Sequence, residues 1–225
     1  MIYIIGSVIL IAVIAGPGIW AKLVLQRHSK PDPAYRYTGQ QFAQRLIEQF
    51  RLKGVTVAQG QSGMNCYELD NKRVCLEETY FQQPSLTAIT VAAHEVGHAI
   101  QDYTDYQGMR SRQKLAKTAM IAGRFSNGAL IAAPLLGLVS RSPSVGLMIF
   151  GVALVGAITM VLVRLATLPV EIDASFNRAL PILKDAGYLN EQDLRKARSI
   201  LRACALTYVA NSLQGLLQLQ RFFRR

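Results

Sequence analysis

The sequence predicts a mainly α membrane protein: an N-terminal anchor helix, a small α+β part built around a β-hairpin, a transmembrane helical hairpin and C-terminal helices. Three observations lead there. From Ile2 to Leu25 the side chains are almost all apolar, and Lys22 alone is charged. Two further apolar blocks, Ala116–Val139 and Val145–Leu168, are separated only by Ser140–Ser144. Between the first block and these two, the apolar periodicity changes from helical to strand-like and back. The composition agrees: 51% hydrophobic with 17% charged residues fits apolar blocks joined by charged ones.

The first block, residues 1–25, is long enough to cross a bilayer at a rise of about 1.5 Å per residue. A cleaved signal peptide carries positive charge before its apolar core. Here Lys22, Arg27 and Lys30 follow it, which predicts a retained anchor with those residues on the cytoplasmic side. Gly16-Pro17-Gly18 is expected to kink it. Residues 34–114 form the cytoplasmic α+β part. Thr38–Lys53 reads as an amphipathic helix capped by Thr38, with Phe42, Leu46, Ile47 and Phe50 on one face. Val55-Thr56-Val57 reads as a short strand. Asn65–Leu69 and Arg73–Glu77 read as a hairpin turned at Asp70-Asn71. Pro84-Ser85 then opens a helix that runs to about Gln101, with Ser85 as its cap.

Residues 115–168 are the transmembrane hairpin. Lys117, Arg124 and Asn127 place the first turns of its first helix outside the hydrocarbon; the second helix is apolar except for Arg164. Pro169, which has no backbone N–H, ends or kinks that helix. Residues 169–225 are expected back on the cytoplasmic side as helices, one capped by Asn190. The stretch Cys204–Phe223 is apolar enough for a further span. Asn211, Gln214, Gln218, Gln220 and the terminal arginines favour an amphipathic helix packed on the domain or on the membrane surface.

The net charge of +11 invites a nucleic-acid reading. The basic residues instead cluster beside apolar blocks, as at Lys22, Arg27 and Lys30 and at Arg221, Arg224 and Arg225, with no zinc-finger, RNA-binding or helix-turn-helix spacing. The expected partner is therefore a lipid bilayer, not nucleic acid. Three cysteines, an odd number, argue against a secreted disulfide scaffold. Cys66 and Cys75 flank the hairpin as prospective cross-strand neighbours. In a reducing cytoplasm they are expected to be thiols, with a disulfide or second metal site as the lesser alternatives.

The chemistry centres on His94-Glu95-Val96-Gly97-His98. Residues four apart share a helix face, so both imidazoles can reach one Zn2+ ion. Glu95, one residue further round, is placed to act as general base towards a water activated by the metal. Buried histidines satisfied by hydrogen bonds are the bland alternative; two of the chain's three histidines on an independently predicted helix weigh against it. A catalytic zinc takes three protein ligands. His28 sits directly after the first apolar block, where an interfacial basic residue is the simpler role. A carboxylate is therefore the expected third ligand. Glu171, after Pro169, is favoured because two intervening membrane helices return the chain to the face that His98 left. Asp173, Glu77 and Glu78 are the other candidates. For stabilising a developing oxyanion, Arg178, seven residues after Glu171, is the candidate, with Tyr80 and Tyr208 as alternatives.

The runs Val91-Ala92-Ala93-His94-Glu95-Val96-Gly97-His98-Ala99-Ile100-Gln101 and Leu168-Pro169-Val170-Glu171-Ile172-Asp173-Ala174-Ser175, with Tyr67, Val74 and Leu76 upstream, resemble the YugP-like family of membrane-bound neutral zinc metallopeptidases. The resemblance extends over most of the chain from about Ala34. It implies a zincin-like catalytic part, peptidase activity, His94, His98 and Glu171 as zinc ligands, and Glu95 as base. More distantly, the second run is similar to membrane gluzincins of the HtpX and CAAX-protease type. Those often carry Asp four residues after the ligand glutamate, where this chain has Ser175; Asp173 or a residue elsewhere would then support a ligand histidine.

These readings converge on a membrane-anchored zinc-dependent endopeptidase in a bacterial inner membrane, its site facing the cytoplasm and its substrate a protein or peptide in or near the bilayer. Two alternatives stand beside it. An intramembrane metalloprotease needs the histidine helix within lipid, yet Ser85–Ile100 is short and rich in Thr. A non-catalytic metal-binding membrane adaptor leaves Glu95 without a purpose.

Overall fold

The computed structural model describes residues 16–217 apart from residue 186. Most of the expected N-terminal anchor and the terminal Arg221, Arg224 and Arg225 lie outside the described residues, as do the side chains of Arg164 and Tyr208. The chain divides into two units. One contains Gly16–Met109 and Pro169–Thr207; the other contains Arg110–Leu168 and the two chain ends.

In the first unit, helix α1 covers 16–27, and helix α2 covers Gly39–Gln49. Thr38 starts α2 with a full capping box: its hydroxyl accepts from the Gln41 N–H while the Gln41 side chain accepts from the Thr38 N–H. Phe42, Ala43, Leu46 and Ile47 form the buried face of α2. Phe50, expected on that face, is 38% exposed just past the helix end.

Three short strands follow: β1, Thr56–Gln59; β2, Cys66–Glu68; β3, Arg73–Leu76. The expected hairpin is present as the antiparallel pair β2–β3, with Tyr67 opposite Val74. The isolated strand expected at Val55–Val57 is displaced to Thr56–Gln59 and joins the hairpin as a parallel partner of β3, giving the order β1-β3-β2. A parallel pair needs a crossover, and here the hairpin strand β2 is itself part of that crossover, which leaves β2 on an edge. Tyr67, Val74 and Leu76 face the core; Cys66, Glu68, Arg73 and Cys75 alternate to the opposite face.

The short helix α3, Glu78–Gln82, leads to helix α4, Leu86–Tyr103. Ser85 caps α4, its hydroxyl accepting from the Ala88 N–H at 3.1 Å. Nearly every side of α4 is buried, polar residues included: Thr87, Thr90, His94, Glu95, His98 and Gln101 are each 5% exposed or less. Helix α4 is therefore the central post of the unit, packed by α2, α3, the sheet and the segment after Pro169. Burying so many polar groups requires partners for them. Thr90 donates to the Leu86 carbonyl and Thr87 to the Leu25 carbonyl.

That later segment starts as helix α7, Leu168–Ile172, widens into a π-helix over Asp173–Ala179, and returns to α geometry in helix α8, Leu180–Asp185. It lies hard against α4. A Cβ added to Gly97 would come within 2.8 Å of the Ala174 carbonyl oxygen, so glycine at the centre of the histidine motif permits the two backbones to touch.

Helix α9 runs from Glu191 to Leu217, and Asn190 caps it through the Asp193 N–H at 2.8 Å. Ala197, Ile200, Leu201, Ala203 and Ala205 are buried in the core. The stretch expected from Cys204 thus begins as the continuation of a core helix; its side chains from Tyr208 on, and residues 218–223 altogether, lie outside the described residues.

The second unit holds two long helices, most of α5, Gln107–Val139, and α6, Pro143–Ala166. Helix α5 is long and apolar enough to cross a membrane by length and composition; it begins nine residues earlier than the apolar block alone suggested, at Gln107 rather than Ala116. Small residues bring the pair together. Gly137 meets Gly146, and the Ser126 hydroxyl donates to the Ala153 carbonyl at 2.7 Å. Large apolar side chains such as Leu138, Leu147 and Met148 stand outward. Helix α6 ends at Ala166, before Pro169, as the missing N–H requires.

Candidate metal centre

His94 and His98 project from adjacent turns of α4, their rings 4.8 Å apart at 75°. Glu171 reaches them from α7: its Oε2 lies 3.4 Å from His94 Nε2 and 3.1 Å from His98 Nε2. The three donor atoms fall within 4.8 Å of one another, and all three residues are buried. Of the four carboxylates considered for this position, Glu171 is the one that the fold brings to the histidines. Asp173 points elsewhere, as described below. Glu77 instead accepts from the Gly63 N–H at 2.8 Å and holds the loop before β2. Glu78 sits in the first turn of α3 and is exposed.

Hydrogen bonds fix the tautomer of each imidazole. The Ser175 hydroxyl donates to the Leu201 carbonyl at 3.2 Å, so towards His94 Nδ1, 3.0 Å away, it can only accept. His98 Nδ1 faces Gln101 Oε1 at 2.8 Å. The orientation of that amide is set by its other end, where Nε2 donates to the Val170 carbonyl at 2.9 Å and to Asp173 Oδ2 at 2.8 Å. Both Nδ1 atoms therefore carry the proton, and both Nε2 atoms turn lone pairs towards a carboxylate oxygen. Three acceptors converging in a buried space repel one another. One proton can bridge one of the two pairs; a divalent cation satisfies all three at once. The donor set of two imidazoles and a carboxylate fits Zn2+.

The support for the two histidines thus differs. Ser175 does for His94 what a carboxylate would do elsewhere. His98 reaches a carboxylate through Gln101, since Asp173 accepts from the Gln101 amide, from Asn177 Nδ2 at 2.9 Å and from Arg178 Nε at 2.8 Å. Burial by itself would push the Asp173 carboxyl up; the hydrogen bonds from Arg178, Gln101 and Asn177, with the Arg178 charge, outweigh it and hold the group below its ordinary value. Gln101 was not singled out by the sequence reading, although its place three residues after His98 puts it on the same helix face. Replacing it with Leu removes the acceptor for His98 and leaves Asp173 and the Val170 carbonyl short of a donor. Zinc affinity, measured by competition with a chromogenic chelator, is expected to fall about 10- to 100-fold; an unchanged affinity would mean that His98 is oriented by packing alone.

Arg178 is placed by this structure on Asp173 and over the Tyr106 ring, 5.6 Å from its centroid, with Nη1 3.4 Å from Thr104 Oγ1. Tyr80 is buried, and its phenol is pushed well above the usual range by that burial and then by Glu77.

Glu95 is 5% exposed. Two thiols lie close enough to feel its charge. Cys66 of β2 is pushed up to about 12, by burial first and then by Glu95, Cys75 and Glu68. Cys204 of α9 is pushed up by burial first and then by Glu95 and Glu171. Neither thiol was linked to the site by the sequence reading.

Two imidazoles one helical turn apart and a carboxylate from an adjoining helix make a buried donor set that could hold a zinc ion, with Glu95 between the two histidines in sequence, and this is the pattern of a zinc-binding protein. The chain belongs to the family described as "Putative neutral zinc metallopeptidase", whose model matches residues 2–225. It is also similar to the "Putative membrane protease YugP" of Bacillus subtilis (strain 168), with 31% identity over 212 residues, 92% of this chain and 90% of that protein. No solved structure matches it.

Proposed function

We propose that this protein is a membrane-anchored zinc endopeptidase that hydrolyses peptide bonds with Glu95 as general base and His94, His98 and Glu171 as metal ligands. The observation that carries the reading is the convergence of two Nε2 lone pairs and the Glu171 carboxylate in a buried space one residue from Glu95. Zinc held there supplies the Lewis acid that acidifies water and polarises a peptide carbonyl. Glu95 then takes the proton of the attacking water and delivers it to the leaving amine. Ser175 and Gln101 keep each imidazole in the tautomer that presents Nε2. Strand β2, on the sheet edge, has backbone groups with which an extended peptide substrate can pair.

The membrane part of the proposal rests on α5 and α6 as a bilayer-spanning hairpin and on the apolar block at the N-terminus as an anchor. Supporting it are the length and composition of α5, the small-residue contacts between the two helices, and the outward apolar side chains. The basic residues after the first block support a site on the cytoplasmic face of a bacterial inner membrane. The substrate is then a protein or peptide in or beside the bilayer.

The deciding experiment is metal analysis and casein hydrolysis of the detergent-purified protein. One zinc per chain is expected, with hydrolysis stopped by a chelator and restored by added zinc. Zinc without hydrolysis of casein or of membrane-protein substrates would transfer the chain to the metal-binding adaptor class.

A further inference from the structure

The face of the sheet turned away from the core carries a second cluster, Cys66, Glu68 and Cys75, whose ligand atoms also fall within 4.8 Å of one another. Cys66 and Cys75 are direct partners in the antiparallel β2–β3 ladder. Such partners have Cα atoms about 4.5–5.5 Å apart, inside the span of about 4.4–6.8 Å that a disulfide bridges. As ladder partners the two residues therefore lie within bridging distance. The third member is already engaged: the Arg73 guanidinium holds Glu68 Oε2 with contacts of 2.8 and 3.0 Å, which neutralises the carboxylate a cation would use. The cluster is therefore a dithiol beside an ion pair. Cys66 is half-buried and reachable, whereas Cys75 is 4% exposed. Strand β2 is three residues long and, among the described residues, pairs with β3 alone.

We propose that Cys66 and Cys75 close reversibly into a disulfide that clamps the edge strand β2 to β3, with the dithiol as the form that works on substrate. The first half stands on the hairpin geometry; the second rests on the peptidase reading above. The co-reactant is a small-molecule disulfide. The Cys66 thiolate attacks it, forming a mixed disulfide and releasing one small thiolate. Cys75 gives up its proton and attacks the Cys66 sulfur, releasing the second. Two protein thiols are oxidised and one small disulfide is reduced to two thiols. With Cys66 pushed up to about 12, little thiolate exists at neutral pH. Closure is thus slow there and faster in alkaline buffer, which suits a response to the standing thiol–disulfide balance more than to a burst of peroxide. Closing the bond draws the sulfurs to about 2.05 Å and alters the twist of the strand whose outer edge would pair with substrate.

The test uses the full zinc-loaded chain in detergent, equilibrated with glutathione buffers of rising disulfide fraction. Free thiols are then alkylated for mass mapping. The expected result is a peptide cross-link between Cys66 and Cys75, constant zinc content, and casein hydrolysis that falls severalfold in parallel; dithiothreitol reverses all of it. Cys75→Ser yields no cross-link and stops at a glutathione adduct on Cys66. In the parent, a stable adduct on Cys66 with Cys75 still alkylatable overturns the clamp. So does a second zinc per chain released on oxidation, which assigns the pair to a metal. A cross-link with unchanged hydrolysis overturns the control of activity. A cross-link in a protein that hydrolyses nothing even when reduced counts against the peptidase reading, and the control falls with it while the clamp stands.

Discussion

Glu95→Gln is expected to lower casein hydrolysis about 10³-fold at unchanged zinc content. The substitution keeps size and shape, so the packing of a residue that is 5% exposed in α4 is preserved. What it removes is the ability to take a proton from water and return it to an amine. Glu95 is not among the three donors that converge, so the metal should stay: His94, His98 and Glu171 hold their positions through Ser175, Gln101 and the contact between α4 and the π-helix. Zinc content and rate must be measured on the same preparation. Loss of zinc would show that Glu95 holds the metal. Full zinc with a rate within a fewfold of the parent would place the base elsewhere in the chain.

The parts of this structure that were legible in the sequence are those decided locally. Thr38, Ser85 and Asn190 begin helices because each offers a side-chain oxygen to an N–H three residues on, and each does so in the structure. The hairpin was legible because two alternating runs flank a turn. The parallel attachment of β1 was not, since it depends on which edge of the hairpin is left open once α4 covers one face. The two histidines followed from their spacing of four, a property of any helix. Glu171 needed an argument about membrane helices returning the chain to one side, and that left four carboxylates open until the fold selected one.

Arg178 shows where periodicity stops being informative. Its placement seven residues after Glu171 puts the two on one face only if the helix between them has α geometry. The chain widens into a π-helix from Asp173 to Ala179, where hydrogen bonds run from i to i+5 and each turn holds more residues. Arg178 then stands one wide turn after Asp173 and grips it with Nε at 2.8 Å. The same widening sets Ser175 under His94 and Asp173 under Gln101, so one local departure from α geometry supports both imidazoles. Nothing in the composition of Asp173–Ala179 announces it; the close contact between Gly97 and Ala174 is its visible counterpart in the fold.

Glu171→Gln is expected to abolish zinc binding while stabilising the metal-free protein by about 1–2 kcal/mol. In the parent without metal, one shared proton can bridge Oε2 of Glu171 to only one of the two Nε2 atoms, at 3.4 and 3.1 Å, so the other pair stays as facing acceptors while the Nδ1 protons of both histidines are committed to Ser175 and Gln101. An amide of the same shape can turn its NH2 towards those lone pairs and donate to both, converting repulsion into hydrogen bonds. The same donors block the metal, and the anionic ligand is gone. The parent, by contrast, gains stability from zinc in proportion to the logarithm of its occupancy. A chelator should therefore lower the melting temperature of the parent and leave that of Glu171→Gln unmoved, with the variant melting above the chelated parent. If the chelator destabilised both equally, a metal would be bound without Glu171. If the variant melted well below the chelated parent, the repulsion inferred from the tautomers would be absent, and with it the reason that this site calls for a cation.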